Sequence, residues 1–268
     1  MKHVGFIGFG RMGQALATGA VFSGALKKNQ VLVCDPFKAR SALKQGFKTM
    51  SIAELISRCD TVFLCIKPQK MEQVLSDVKT ALTSKTIQKI CLVSIAAGVP
   101  LARIQKSCGH PVSLFRVMPN TPALLKAGMS ALAHGPKASA AQEKFVITIL
   151  KSVGVVAKVP EKFMDAITAL SGSGPAYVFY LAEGLMKAAV SLGLSRALAR
   201  LLIHQTLFGS GLMLKERPET ADQLRHQVTS PGGTTAAAIS EFEKRNFLKI
   251  VESAVKKAAQ RSAQLAKI

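Results

Sequence analysis

The stretch that decides the fold is Val4-Gly5-Phe6-Ile7-Gly8-Phe9-Gly10-Arg11-Met12-Gly13, an apolar run that ends in glycines with the spacing G-x-G-x-x-G. Gly8 permits a tight turn after a buried strand, Gly10 lets the backbone approach a pyrophosphate, and Gly13 lets a helix pack closely on the strand. Phosphates are favoured at such a helix N-terminus by unpaired N–H groups and by the helix dipole. The stretch therefore predicts a βα unit that binds a dinucleotide.

The residues after this glycine turn support the same interpretation. Apolar residues keep helical spacing over residues 12–22, and a second apolar run, Val31-Leu32-Val33-Cys34, ends in Asp35. An acidic side chain there accepts hydrogen bonds from the adenosine ribose and favours NAD. Lys38 and Arg40 follow closely and can neutralise the 2′-phosphate of NADP, so the sequence leaves NADH and NADPH open.

Strand and helix patterns alternate through the rest of the N-terminal half. Continuous apolar runs at residues 61–66, 90–94 and 112–117 are typical of parallel strands buried on both faces. We therefore predict an α/β fold, with a Rossmann-like doubly wound parallel sheet over residues 1–161. Ligands of such sheets lie beyond the carboxyl ends of the strands. We expect the cofactor to contact Gly8, Phe9, Gly10, Arg11, Met12, Asp35, Lys67, Pro68, Ala96, Ala97, Gly98 and Asn120.

Two of these residues have an alternative interpretation. Lys67 either faces the cofactor or is a solvated lysine ahead of a helix that begins at Pro68. Asn120 lies between two prolines, and its amide either pairs with the nicotinamide carboxamide or holds a structural turn.

The strand pattern ends near residue 162, so we expect a second, all-α domain over residues 162–268. Helices are predicted at residues 163–170, 197–214 and 247–267, and Pro175 is well placed for the first turn of another. The long apolar helices carry more hydrophobic surface than a bundle of this size can hide. This half is therefore expected to form a homo-oligomer.

A second turn of small residues, Ser230-Pro231-Gly232-Gly233-Thr234-Thr235, precedes a helix predicted at residues 236–244. Backbone N–H groups and hydroxyl groups are available there, and no acidic side chain competes for the site. The attraction of an exposed helix end is worth only about 0.3–1 kcal/mol, so several hydrogen bonds are needed to hold a carboxylate. The turn either binds such a group or is a capped loop.

Composition narrows the function classes. The chain has 36 Lys and Arg against 15 Asp and Glu, a formal net charge of +21, but the cations are scattered and no tryptophan is present to stack on bases. We expect no nucleic-acid binding and, because no segment stands out as long and apolar enough to span a bilayer, no membrane association. The five cysteines form no C-x-x-C pair and the histidines lack ligand spacing, which predicts a cytoplasmic location and no metal site.

The sequence resembles the Δ1-pyrroline-5-carboxylate reductase family over essentially its whole length. The likeness rests on the glycine turn and on five further motifs: Lys67-Pro68, Ser94-Ile95-Ala96-Ala97-Gly98-Val99, Met118-Pro119-Asn120-Thr121-Pro122, Leu170-Ser171-Gly172-Ser173-Gly174-Pro175-Ala176-Tyr177 and Ser230-Pro231-Gly232-Gly233-Thr234-Thr235. The last two are highly specific in combination. The resemblance implies a Rossmann domain, an intertwined helical dimerisation domain, and a homo-oligomer built from dimers.

The resemblance also implies a reaction, the reduction of the imine of pyrroline-5-carboxylate to proline, which is the last step of proline biosynthesis. Thr235 would hydrogen-bond the ring nitrogen of the substrate. The substrate carboxylate would be anchored by Ser230, Gly232, Gly233 and Thr234, and these loops would come from a partner subunit. NADPH is the usual cofactor of the family, often with some use of NADH. Asp35 departs from the small or neutral residue common there.

Two other functions remain as alternatives. A β-hydroxyacid-dehydrogenase-like oxidoreductase shares the layout, but the lysine expected on the first long helix of its second domain is missing here, since Lys187 lies far beyond residues 171–175. A non-catalytic dinucleotide sensor is the second alternative. Such a sensor has no need of the anion-binding turn at residues 230–235.

Overall fold

The computed structural model describes residues 3–265. Its strands are β1 (His3–Ile7), β2 (Val31–Cys34), β3 (Lys48–Thr49), β4 (Cys59–Leu64), β5 (Cys91–Ser94), β6 (Ser113–Pro119), β7 (Gly128–His134) and β8 (Gly154–Lys158). They form one sheet in the order β3-β2-β1-β4-β5-β6-β7-β8. The first six strands run parallel, β7 is antiparallel to β6, and β8 is parallel to β7. In the sheet, β1 has β2 on one side and β4 on the other. Because the strand order reverses at β1, a crevice opens at its carboxyl end.

Helices accompany the strands and then continue alone. Between the strands lie α1 (Arg11–Phe22), α2 (Ala39–Lys44), α3 (Ile52–Arg58), α4 (Met71–Ala81), α5 (Ser84–Ile87), α6 (Leu101–Cys108) and α7 (Ala140–Lys151). After β8 come α8 (Met164–Ile167), α9 (Gly174–Ser191), α10 (Arg196–Glu216), α11 (Ala221–Gln227), α12 (Thr234–Lys244) and α13 (Phe247–Leu265). The last predicted helix was expected to reach Lys267, and its final two residues lie outside the described part of the chain.

The sheet is buried on both faces, as its continuous apolar strands predict. Alternate residues of β1 and β4, such as Phe6 and Phe63, face a core that includes Leu16 of α1 and Ile149 of α7. The intervening residues, such as Leu64, face a second core with side chains of α3, α4 and α6. Because side chains alternate across a strand, one apolar run supplies both cores.

The sheet contains three strands that the sequence did not predict, namely β3, β7 and β8, and β7 makes it mixed. β7 reads Gly-Met-Ser-Ala-Leu-Ala-His, a run of small residues without a strong strand pattern. It is antiparallel to β6 because the connection between them, residues 120–127, is shorter than the dozen or so residues that a parallel crossover needs. The predicted parallel arrangement is therefore confirmed for β1, β2, β4, β5 and β6, and the far end of the sheet is mixed.

The described residues divide into two compact units, residues 3–173 with 256–265, and residues 174–255. Residues 162–173 fall in the first unit, since Met164 is buried against Ala131 and Ala133 of β7. The helix expected at residues 163–170 is only α8, which passes into a π-helical turn at Thr168–Gly172. The domain division predicted at residues 161 and 162 stays a prediction.

A buried arginine joins distant parts of the first unit. Arg116 on β6 pairs with Glu161 at 3.2 Å and with Asp165 at 3.6 Å. Glu161 also accepts a hydrogen bond of 2.7 Å from the N–H of Leu101. Asp165 accepts one of 2.7 Å from the hydroxyl of Ser262. The network fixes the start of α6, the segment around α8 and the end of α13 to one strand of the sheet.

Substitution of this arginine tests the network. We expect Arg116→Met to lower the free energy of unfolding by about 2–3 kcal/mol, because two half-buried carboxylates lose a charged partner. The control is Lys89→Met, which removes an exposed ion pair of 3.1 Å to Asp60 and should cost less than about 1 kcal/mol. Chemical denaturation followed by circular dichroism measures both. Equal losses in the two variants would show that the network adds nothing beyond a surface ion pair.

The second unit has little core of its own. Its buried apolar residues among those described are Ala199, Ile203 and Leu224. Large apolar side chains are exposed instead, among them Phe179, Leu201 and Phe208. So much exposed apolar surface is unstable in water unless another surface covers it.

One expectation about this unit is wrong. The helix Arg196–Glu216 is long and apolar enough to cross a membrane by length and composition, and 11% of its most apolar stretch is buried. His204 and other polar residues interrupt the apolar run of this helix in the sequence. Length and composition alone do not separate a membrane helix from one that is covered by another protein subunit.

Candidate dinucleotide site and substrate-binding turn

The glycine turn after β1 is shaped by close backbone approaches. Gly8 has φ of 94°, and a Cβ atom there would lie 2.4 Å from the carbonyl oxygen of Cys65. A Cβ atom on Gly13 would lie 2.4 Å from the carbonyl oxygen of Gly8. At Gly10, apart from the residue itself and its two chain neighbours, no atom of residues 3–265 lies within 4 Å of the added Cβ position. Packing thus explains Gly8 and Gly13, whereas the open space at Gly10 fits the approach of a ligand.

The N-terminus of α1 has free donors at this turn. The helix begins at Arg11 with Gly10 as its N-cap residue, and no side chain caps it. Within residues 3–265 the N–H groups of Arg11 and Met12 have no acceptor. These donors and the positive end of the helix dipole fit the pyrophosphate of a dinucleotide.

The peptide groups of Phe9 are held from both sides. Its N–H donates a 2.6 Å hydrogen bond to Oδ2 of Asp35, and its carbonyl oxygen accepts one of 2.8 Å from the side chain of Gln14. The ring of Phe9 is fully buried and makes an edge contact with Phe47. Oδ1 of Asp35 accepts the N–H groups of Phe37 and Lys38, each at 2.9 Å. Gln14 is a site residue that the sequence did not predict, because the contact of its amide exists only in the folded turn.

The remaining predicted cofactor loops follow β4 and β5 at the same edge of the sheet. Lys67 is exposed and precedes Pro68, which begins a short helical turn. Ala96 is buried and its N–H donates to the hydroxyl of Ser94 at 3.3 Å. Ala97 is half-buried and Gly98 is buried beside it. The structure places these residues where the topology predicts, and their contacts with a cofactor stay predictions.

Asn120 is engaged within the protein. Its Oδ1 atom accepts a 2.8 Å hydrogen bond from the N–H of Met129. Its Nδ2 atom donates to the carbonyl oxygen and hydroxyl of Ser171 at 3.3 and 3.4 Å. The amide therefore holds the loop after β6 to β7 and to the π-helical turn, which is the structural alternative of the sequence analysis. Pairing with the nicotinamide stays a prediction.

The second unit holds the other predicted turn. Helix α12 begins at Thr234, two residues earlier than predicted, with Gly233 as an N-cap residue that no side chain assists. The N–H of Gly233 donates to the carbonyl oxygen of Ser230 at 3.0 Å, and Gly232 takes φ of 70°. In the described part of the chain the hydroxyl groups of Ser230, Thr234 and Thr235 make no hydrogen bonds. Three hydroxyls and a helix N-terminus thus remain free for an anionic group.

The cysteine thiols supply no nucleophile to either turn. Burial raises the pKa of the Cys59, Cys91 and Cys108 thiols to about 12, so they stay protonated at neutral pH. At Cys34, burial and the charge of Asp35 also raise the pKa. Among the described residues no three His, Cys, Asp or Glu side chains are grouped to hold a metal ion, and the absence of a metal site stays a prediction.

Comparison with known proteins decides the family. Residues 161–265 match the family model for pyrroline-5-carboxylate reductase dimerisation, and residues 3–98 match that for NADP oxidoreductase, coenzyme F420-dependent. The pyrroline-5-carboxylate reductase of Pseudomonas aeruginosa is 38% identical over 98% of this chain and 97% of its own length. That of Arabidopsis thaliana is 36% identical over 98% and 95%. The chain belongs to the pyrroline-5-carboxylate reductase family.

Solved structures of the family share the fold. The pyrroline-5-carboxylate reductase of Coxiella burnetii has a TM-score of 0.90 and 33% identity, covering 100% of this chain and 99% of its own. The Plasmodium falciparum enzyme, solved with NADP bound, has a TM-score of 0.89 and 33% identity, covering 99% and 98%. The predicted family and the predicted fold, a Rossmann-like sheet followed by a helical dimerisation domain, are confirmed.

Two glycine substitutions separate packing from ligand approach. Gly10→Ala should leave the melting temperature within about 2 °C but raise the KM for the cofactor by roughly tenfold or more, because the methyl group enters only the space for the pyrophosphate. Gly13→Ala should lower both stability and cofactor binding, since its Cβ atom meets backbone at 2.4 Å. Thermal denaturation and cofactor titration measure the two effects. Normal cofactor binding by Gly10→Ala would place the pyrophosphate elsewhere.

Proposed function

We propose that this member of the family reduces L-1-pyrroline-5-carboxylate to L-proline with NADPH or NADH, the last step of proline biosynthesis. The observation that carries the proposal is the turn at residues 230–235, with its free hydroxyl groups and uncapped helix N-terminus, on a chain that also has a dinucleotide turn with free N–H donors. The full-length likeness to pyrroline-5-carboxylate reductases supports the same reaction. This likeness favours neither the β-hydroxyacid-dehydrogenase-like oxidoreductase nor the non-catalytic dinucleotide sensor.

The chain's part in the reaction is to bind and align. A dinucleotide held at the glycine turn would supply a hydride for the imine carbon, and the nitrogen of the protonated imine would keep its proton in the amine of proline. No Asp, Glu or His lies within residues 229–236, so the substrate is expected to bind already protonated, as the iminium ion. Good alignment of donor and acceptor alone is worth roughly 7–11 kcal/mol, which removes the need for a strong acid.

Each hydroxyl of the turn has a proposed role. Thr235 is half-buried in the first turn of α12, and its oxygen accepts the N–H of the iminium ion. Ser230 and Thr234 donate to the substrate carboxylate, together with the backbone N–H groups at Gly232 and Gly233. The positive end of the α12 dipole adds to the attraction for the carboxylate.

Two substitutions, one that removes the hydroxyl group of Thr235 and one that keeps it, test the role of this residue. Thr235→Ala should lower kcat by roughly 10–100-fold, the effect of losing one hydrogen bond to a charged group, while the KM for the cofactor stays within about twofold. Thr235→Ser keeps the hydroxyl and should retain most of the activity. Steady-state oxidation of NAD(P)H with pyrroline-5-carboxylate measures all three proteins. Unchanged turnover in a well-folded Thr235→Ala protein would remove this residue from the mechanism.

The second unit is proposed to pair with another copy of the chain. Its helices expose large apolar side chains, and a groove of about 730 Å³ on α9 and α10 is lined by residues that include Phe179, Met186 and Val190. The matched family model for dimerisation covers these helices. Assembly of such dimers into larger oligomers, cytoplasmic location and the absence of nucleic-acid and membrane partners stay predictions.

A charge on this apolar surface tests the assembly. Phe208 is 66% exposed on α10, and Phe208→Asp should shift the protein toward monomer because an unpaired carboxylate would be buried between copies. Leu43→Asp, on exposed α2 of the first unit, is the control and should leave the assembly unchanged. Sedimentation velocity measures the mass. A monomeric wild-type protein, or an unchanged Phe208→Asp assembly, would contradict the proposal.

A further inference from the structure

The carboxylate of Asp35 is anchored at the place where the two forms of the cofactor differ. It follows β2 directly and lies at the crevice beside β1, where the adenosine ribose of a dinucleotide binds in this type of sheet. We propose that Asp35 sets the cofactor preference of this reductase and favours NADH over NADPH. The inference rests on the proposed function, because it concerns the hydride donor of that reaction.

Three backbone N–H groups fix the carboxylate. Oδ2 accepts the N–H of Phe9, and Oδ1 accepts those of Phe37 and Lys38. A shift of Phe9 that released its bond would also disturb its buried ring and the hydrogen bond from Gln14 to its carbonyl oxygen. The carboxylate therefore cannot rotate away from a ligand at the ribose position.

The same contacts decide what the carboxylate can accept. A carboxylate has roughly four lone-pair sites, so three N–H donors leave one for a ribose hydroxyl. A 2′-phosphate has no such proton to share in its dianionic form, and its charge would face a fixed negative charge. The N–H groups of Phe37 and Lys38 cannot cradle that phosphate either, because Asp35 already accepts both.

Lys38 and Arg40 are the cations that oppose this effect. Both side chains are exposed, and among the described residues neither pairs with a carboxylate. Exposed cations must lose side-chain freedom to hold a phosphate, and salt screens them. The anchored carboxylate has already lost its freedom on folding. For this reason we expect its repulsion to outweigh their attraction at physiological salt, while some NADPH use remains.

The test compares both cofactors in three variants. In the wild-type protein kcat/KM should be higher with NADH than with NADPH at saturating pyrroline-5-carboxylate. Asp35→Ser and Asp35→Asn, which remove the charge, should shift this ratio at least tenfold toward NADPH. The matched control is Gln14→Leu, which releases the carbonyl group of Phe9 in the same loop without changing the charge at the ribose. It should raise the KM for both cofactors by the same factor and leave the ratio unchanged.

The outcomes separate this inference from the proposed function. A wild-type preference for NADPH, or Asp35 variants that lose both cofactors equally, would overturn the selectivity role and leave Asp35 as a support of the glycine turn. Direct titration of the dissociation constants for NADH and NADPH, without substrate, measures the preference in binding alone. Failure to reduce pyrroline-5-carboxylate would therefore refute the proposed function while the titration still decides the role of Asp35.

Discussion

At the end of β1, three segments of the chain pack so closely that no side chain fits between their backbones. The turn at Gly8 lies against the carbonyl group of Cys65, and Gly13 lies against the carbonyl group of Gly8. This packing places the first turn of α1 directly over the crevice between β1 and β4. Its N–H groups then face the crevice without any charged side chain, so the site depends on the geometry of the backbone.

Polar contacts keep this backbone in place. The peptide groups of Phe9 are fixed by Asp35 on one side and by Gln14 on the other, and its ring is inserted into the core. A loop held in this way loses little conformational freedom when a ligand binds, which is the physical meaning of preorganisation. The same carboxylate supports the loop and carries charge, so its two effects on the cofactor are inseparable in the wild-type protein and separable only by substitution.

The sequence predicted those features that depend on local pattern. Strands buried on both faces, the glycine spacing and the helical second half all follow from residues close together in the chain. Strands β3, β7 and β8 were not predicted. β3 has only two residues, and in β7 small residues such as Ala131 and Ala133 give a weak strand pattern. The roles of Gln14 and Arg116 were also not predictable, since their partners become known only in the folded chain. For Asn120 the structural turn was one of two predicted alternatives, but its partners Met129 and Ser171 were not predicted. The anchoring of Asp35 belongs to the same class, as Phe9 lies 26 residues before it.

The hydrogen bond between Ser262 and Asp165 joins the end of α13 to the first unit, although the whole second unit lies between these two residues in the sequence. During translation, residues 3–173 therefore leave the ribosome before the segment that completes their packing. The Arg116 network lacks one of its elements until the final helix has emerged. In the growing chain, the nucleotide-binding unit thus reaches its complete fold only after the apolar helices of the second unit are already exposed to the cell.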